Sequence, residues 1–276
     1  MAVGALSFSA MSALAKVAGR SVPLFEIVLA RSAVMAVLAG AVLWRQGHSF
    51  RGSAPVLLAL RGILGFGALS CFFYAVVNLP LADATVLHFM NPVFTALAAA
   101  VVLDEHLGAR ETLLVVGSML GVVVVARPSF LFGEADALDP VAVGIALTGA
   151  FLAAAAYVTV RRLRGEEPLL IVFWFAALST LFSLPLVVRN PVLPTLSTFL
   201  VLIGVGLTTH VGQVLITYGF RLERAGRASS VGYLQIVFAA GWGWLLFDEV
   251  PDLWTGVGAA VIVGCTMVLM RLHPVR

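Results

Sequence analysis

Ten side chains in this sequence have the chemistry to hold a small polar solute, and all ten lie within apolar stretches. Glu26 and Arg31 stand five residues apart in one stretch, and Arg61 lies in the next. An arginine presents a planar fork of donors that binds a carboxylate or phosphate bidentately, which lysine cannot reproduce. His88 and Asn91 follow at a spacing of three, with Thr85 and Thr95 on the same helical face. His210 and Gln213 repeat that arrangement with Thr217, while Trp174, Tyr233 and Gln235 complete the set. Imidazoles titrate near neutral pH, so both histidines are candidate proton carriers. Pro92 removes a backbone donor and loosens any helix beside Asn91, a useful place for a solute contact. Trp174 offers an indole face for stacking.

Each residue also has a structural alternative. Arg31 could pair with Glu26, although five residues put them about 140° apart around a helix. Arg61, near the start of its stretch, could snorkel to lipid headgroups. The histidines could simply pack, as could Trp174. Ionisable groups deep in a membrane cost roughly 2.5–3.5 kcal/mol on insertion scales and usually face a cavity or a partner.

The elements that must position these residues are membrane helices. Hydrophobic residues make up 61% of the chain and charged residues 11%, against about 25% charged in soluble domains. A surface that apolar suits lipid rather than water. Apolar stretches predict ten spans, at 2–18, 23–44, 56–78, 81–103, 110–127, 140–160, 168–188, 196–219, 228–247 and 253–270. A membrane β-barrel would instead show short segments of alternating polarity. Met1–Val17 lacks a positive leader and reads as the first span, not a cleaved signal. The net charge of +3 comes from small basic groups between spans, which argues against a nucleic-acid partner. Cys71 and Cys265 both fall inside spans, so neither a disulfide framework nor a metal site is expected, and no cofactor is implied.

With the N-terminus inside, cytoplasmic loops hold Arg45, Arg51, Arg110, Arg161, Arg162, Arg164, Arg221, Arg224, Arg227, Arg271 and Arg276. The other side holds Lys16, Arg20, Arg127 and Arg189. That asymmetry puts both termini in the cytoplasm of a cell (plasma or inner) membrane. Glu134, Asp136 and Asp139 fall in the outer loop.

The chain also reads as duplicated. A shift of 144 residues lays Tyr74–Arg127 on Tyr218–Arg271 without a gap, with nine identities in 54 positions. Asn91 meets Gln235, Phe89 meets Tyr233, and Asp104-Glu105 meets Asp248-Glu249 at the same helix end. These acids are expected to cap the amides of the next helix. Five spans per half is an odd number, so the second half must enter the membrane upside down. Such inverted repeats are a common transporter design. The expected halves are residues 1–128 and 140–272. Gly117 and Gly121 form a GxxxG motif, and Gly256, Ala260 and Gly264 repeat small residues every four positions; both suit close helix packing.

Further residues carry a family resemblance. They are Phe25-Glu26-Ile27-Val28-Leu29-Ala30-Arg31, Leu60-Arg61-Gly62-Ile63-Leu64-Gly65, Leu81-Ala82-Asp83-Ala84-Thr85, Asn91-Pro92-Val93-Phe94, Asp104-Glu105 and Arg127-Pro128-Ser129-Phe130-Leu131-Phe132-Gly133. In this order they resemble the drug/metabolite transporter superfamily with two EamA-type repeats, and are most similar to the G branch of solute carrier family 35. The resemblance implies a ten-helix, inverted-repeat carrier of small polar or anionic metabolites. This chain departs from it in lacking the extension often found before the first span. It also carries Gln235 where some relatives carry an acid.

The function expected is secondary transport of a small anionic or zwitterionic metabolite by alternating access, with a proton or counter-substrate as coupling partner. The chain would act as a monomer or homodimer among membrane lipids. An intramembrane transferase or a non-transporting scaffold is the alternative. The chain contains no HExxH, no GxSxG and no nucleotide-binding glycine loop. Inverted topology is tested by cysteine labelling in a Cys71- and Cys265-free background. Cysteines at His106 and Val250 are expected to react with an impermeant reagent from opposite membrane faces, and same-face labelling refutes the inversion.

Overall fold

A computed structural model describes residues 1–79, 81–127, 129–132, 138–188, 191–248 and 250–272. Pro128, Gly133, Glu134, Asp136, Arg189, Glu249 and Arg276 lie outside the described residues. The described chain is helical, without a strand: α1 (Ala2–Ala18), α2 (Leu24–Arg45), α3 (Pro55–Asn78), α4 (Leu81–His88), α5 (Asn91–Val102), α6 (Ala109–Ala126) and α7 (Ser129–Phe132) come first. They are followed by α8 (Pro140–Arg162), α9 (Pro168–Val188), α10 (Leu196–Leu222), α11 (Ala225–Ser230), a 3₁₀ turn (Val231–Tyr233), α12 (Leu234–Phe247) and α13 (Leu253–Arg271).

Among the described residues nine spans are long and apolar enough to cross a bilayer, and α1 is apolar but shorter, at 17 residues. The outer surface is apolar, with Val101, Leu113, Leu97 and Val37 all largely exposed. A soluble protein does not present such a surface, and a bilayer requires one.

Helix pairs, not layers, build the bundle. α3 packs on α8 and α9, α10 packs on α1 and α2, α2 lies on α9, and α6 lies on α13. Small residues permit the close crossings. α8 turns Ala142, Ala146, Gly149, Ala150 and Ala153 inward, and a Cβ on Gly149 would stand 2.7 Å from the Cβ of Cys71 in α3. Gly206 of α10 is held the same way against Val34 of α2.

Two predicted spans are not single helices. The span expected at 81–103 breaks after His88 and resumes at Asn91. Pro92 cannot donate to the turn before it, and Asn91 Nδ2 donates to the His88 carbonyl at 2.8 Å, closing the interrupted turn. The span expected at 228–247 begins earlier, at Ala225, and passes through the 3₁₀ turn before α12. Ser229 and Ser230 hydroxyls there both donate to the Gly226 carbonyl. The two breaks face one another, with Phe89 and Tyr233 ring centroids 6.1 Å apart.

The glycine readings are corrected in one half of the pair. α6 approaches α13 through Gly117, beside Cys265, and through Gly121. On α13, however, Gly256 and Gly264 face open space, and Gly258 makes the contact. A Cβ there would stand 2.7 Å from the Gly121 carbonyl and 2.6 Å from Val125. Gly121→Val is therefore expected to lower the stability of the detergent-solubilised protein by about 1–3 kcal/mol through overpacking. Gly256→Val is expected to leave the thermal midpoint unchanged.

Candidate functional site: buried arginines between tied helix ends

On α2, Val28, Arg31, Ser32, Met35 and Ala39 are all buried, a spacing of three and four that defines the inward face. Arg31 is only 7% exposed, inside protein rather than against lipid. Its Nε has no hydrogen-bond partner. Among the described residues no ion pair joins it to Glu26. That carboxylate instead accepts the Val192 backbone N–H, in the segment before α10.

Arg61 on α3 is 3% exposed and so lies inside the protein, not against lipid. Its Nε and Nη1 have no hydrogen-bond partner. Its guanidinium lies 4.3 Å over the ring of Phe175 on α9, a cation–π contact. Gly65 makes room for this stack, because a Cβ there would collide with Arg61 Nη1 and stand 2.7 Å from the Phe175 ring. Phe175 shares one core cluster with Met35, Ala39, Val172 and Ala176, and Val214 of α10 packs against it. Met35 is one helical turn from Arg31, so both arginines border a single cluster.

The other predicted residues divide. His88 sits against Phe72 and Phe89, with ring centroids 4.4 and 5.5 Å away. Asn91 is engaged at the helix break, and Thr95 donates to the Asn91 carbonyl. His210 Nδ1 is buried without a partner. Gln213 is buried one turn further along α10, beside the residue that packs on the Phe175 cluster. Tyr233 is fully buried and directs its hydroxyl at Met119 sulfur, while Gln235 is half-buried. Trp174 donates its N–H to the Phe50 carbonyl at 2.9 Å and anchors the segment before α3.

Sequence reasoning missed the ties at the helix ends. Glu105 does not cap the helix that follows it. It accepts Arg161 Nε at 2.7 Å and the Ala225 N–H at 2.9 Å, and so joins α8 and the start of α11. Arg161 in turn donates to the Arg221 carbonyl at 2.7 Å. α6 is capped by its own Glu111, which accepts the Gly108 N–H and lies 3.7 Å from Arg227. Asp104 and Asp248 end their helices with the same left-handed φ of 56°.

Beyond α8, Glu166 accepts hydrogen bonds from the Ser53 N–H, the Ser53 hydroxyl and the Ala54 N–H at 2.5–2.8 Å. Burial pushes the Glu166 carboxyl up, but those three bonds outweigh it and hold it below the usual carboxylate range. A lowered folded-state value means this tie stabilises at neutral pH and is lost as pH falls through that value.

Among the described residues the opposite end is tied by the Glu26–Val192 hydrogen bond, an Arg127–Asp252 ion pair, and Lys16 4.4 Å over the Phe247 ring. Asp252 also caps α13 through the Thr255 N–H and hydroxyl, and chiefly these hold its carboxyl below the usual range.

The chain is thus an all-helical, multi-pass membrane protein with polar groups buried between its helices. The chain is a member of the EamA-like transporter family, whose model matches it twice, over residues 1–127 and 141–271. It is 35% identical to the pseudopaline exporter CntI of Pseudomonas aeruginosa, across 98% of this chain and 94% of that one. It is 31% identical to human solute carrier family 35 member G1, over 75% of this chain and 60% of the relative. A third relative is the S-adenosylmethionine uptake transporter of Rickettsia bellii, at 24% identity over 96% of this chain and 90% of that one. A crystal structure of a protein 18% identical has the same fold, with a TM-score of 0.80 over 96% of this chain and 95% of its own.

The Glu105 tie has a measurable consequence. Ala228 is 1% exposed, three residues past the amide that Glu105 holds. With both native cysteines replaced, Glu105→Ala is expected to speed modification of a cysteine at Ala228 by an impermeant thiol reagent. A factor of ten corresponds to about 1.4 kcal/mol of lost closure. An unchanged rate would mean the pair does not hold this end shut.

Proposed function

We propose that this chain is a secondary carrier that moves a small anionic or zwitterionic metabolite by alternating access, with Arg31 and Arg61 at the centre of its site. One observation carries the reading: two guanidinium groups, each more than nine-tenths buried, are left with unbonded donors where most of the span is apolar. An unsatisfied buried charge destabilises a resting fold, and in a carrier the solute supplies the missing partner.

The moving parts are two five-helix halves of opposite orientation, ten spans in all, meeting near residues 128–139. Several observations support this. The packing pairs α3–α8 and α1–α10 exchange when the halves are exchanged, as do α3–α9 and α2–α10. The facing helix breaks at Phe89 and Tyr233, and the left-handed ends at Asp104 and Asp248, are each 144 residues apart. The family model also matches once in each half.

In this reading the arginine-rich end is cytoplasmic, by the positive-inside rule, in the cell membrane. The Glu105–Arg161 and Ser53–Glu166 ties close that end, and the contacts around Glu26, Arg127 and Lys16 hold the other. Release of one set as the other forms exposes the arginines to each side in turn. His88, His210, Gln213, Tyr233 and Gln235 line the path, and either histidine supplies a coupling proton if the carrier is not an exchanger. The relatives that export pseudopaline or take up S-adenosylmethionine support carriage of charged metabolites.

Purified protein in liposomes is expected to show saturable counterflow of a labelled metabolite. Ohmic current without saturation would overturn the carrier reading. Arg31→Ala is expected to reduce flux at least tenfold while leaving folded protein in the membrane, and normal flux removes Arg31 from the site.

A further inference from the structure

Resting on the carrier reading, we infer that the solute is a dianion whose two negative groups are bridged by a short apolar segment, one group taken by Arg31 and the other by Arg61. The other arginines of the described chain lie at helix ends or in the segments between helices, and those two alone are set deep in spans. Among the described residues neither guanidinium lies within ion-pair distance of a carboxylate. The acids nearest in sequence are Glu26, engaged by the Val192 N–H, and Asp83, buried at the start of α4, and among the described residues neither forms an ion pair with Arg31 or Arg61. Two like charges bordering one apolar cluster repel each other in a low dielectric. A monoanion would neutralise one of them and leave the other bare; a dianion satisfies both.

Both arginines border one cluster: Met35 lies one turn from Arg31 on α2 and shares that cluster with Phe175, over whose ring Arg61 lies at 4.3 Å. The side chains of that cluster are apolar, and a short dicarboxylate is the simplest solute with one charge for each arginine and an apolar segment to meet them. Gly65 fixes the Arg61 end, because it is the position that lets Arg61 lie flat on the ring.

The test uses the whole purified chain and α,ω-dicarboxylates of three to eight carbons. Each is compared with the matching monocarboxylate at twice the concentration, reading the thermal midpoint in detergent. Succinate or glutarate is expected to raise the midpoint, and the monocarboxylates are not. Arg31→Gln and Arg61→Gln are each expected to abolish that rise. Without solute, both variants are expected to be at least as stable as the native chain, since each removes an uncompensated charge. Arg31→Lys is expected to fold and to keep a weaker rise.

Equal stabilisation by monocarboxylates, no stabilisation by any member of the series, or a rise that survives either glutamine variant would overturn the dianion assignment. So would a solute-free glutamine variant that fails to fold, because it would show the arginine to be paired within the fold. The carrier reading fails separately: a dicarboxylate that stabilises in this pattern but shows no counterflow sinks transport and leaves the charge assignment standing.

Discussion

A charge or backbone group inside a bilayer has no water to bond, so it needs a partner within the chain or a ligand. This constraint orders the whole molecule. Where the helices must break, a side chain repairs the damage: the Asn91 amide satisfies the His88 carbonyl, and two serine hydroxyls do the same for Gly226. Where arginines meet carbonyls at helix ends, they are bonded in full view of a carboxylate, as Arg161 is by Glu105. Arg31 and Arg61 break the rule. Their surroundings are packed and apolar, and in the proposed reading the solute is the partner their free donors lack.

The same constraint shapes the ends of the bundle. At the arginine-rich end, carboxylates from the first half hold arginines and amides of the second, through Glu105, and Glu166 returns the favour to Ser53 and Ala54. These are partly buried, charge-assisted bonds, stronger than neutral ones. At the other end the Arg127–Asp252 ion pair is more exposed, both side chains being about 40% accessible or more, a situation in which ion pairs contribute little. In the proposed cycle the two sets of contacts form and break in turn.

Much of this was legible in the chain itself, for definite reasons. Long apolar runs report membrane helices because lipid imposes one rule along their whole length, and Pro92 announced the weakness beside Asn91. The depth of Arg31 in its span also foretold its burial. Other features were not legible because they depend on contacts far away in sequence. Glu105 looked like a cap for α6, yet its partners stand 56 and 120 residues on. Gly258 replaces Gly256 and Gly264 at the α6 crossing because the rotation of α13 about its axis is set by packing, to which residue spacing is blind. Arg61 near a helix start is compatible with a lipid-facing or an inward side chain, and its burial against Phe175 shows it turned inward. Trp174 carries no local sign that its N–H belongs to Phe50.

Alternation between the two ends is the central claim, and spin-label distances test it most directly. Labels on His106 and Arg164 report the arginine-rich end, and labels on Ser21 and Leu193 report the other, in liposomes with native Glu105 or with Glu105→Gln. The account predicts that the substitution widens the first distance and narrows the second, as one end opens and the other closes. Two distances that stay fixed, or that widen together, would contradict it.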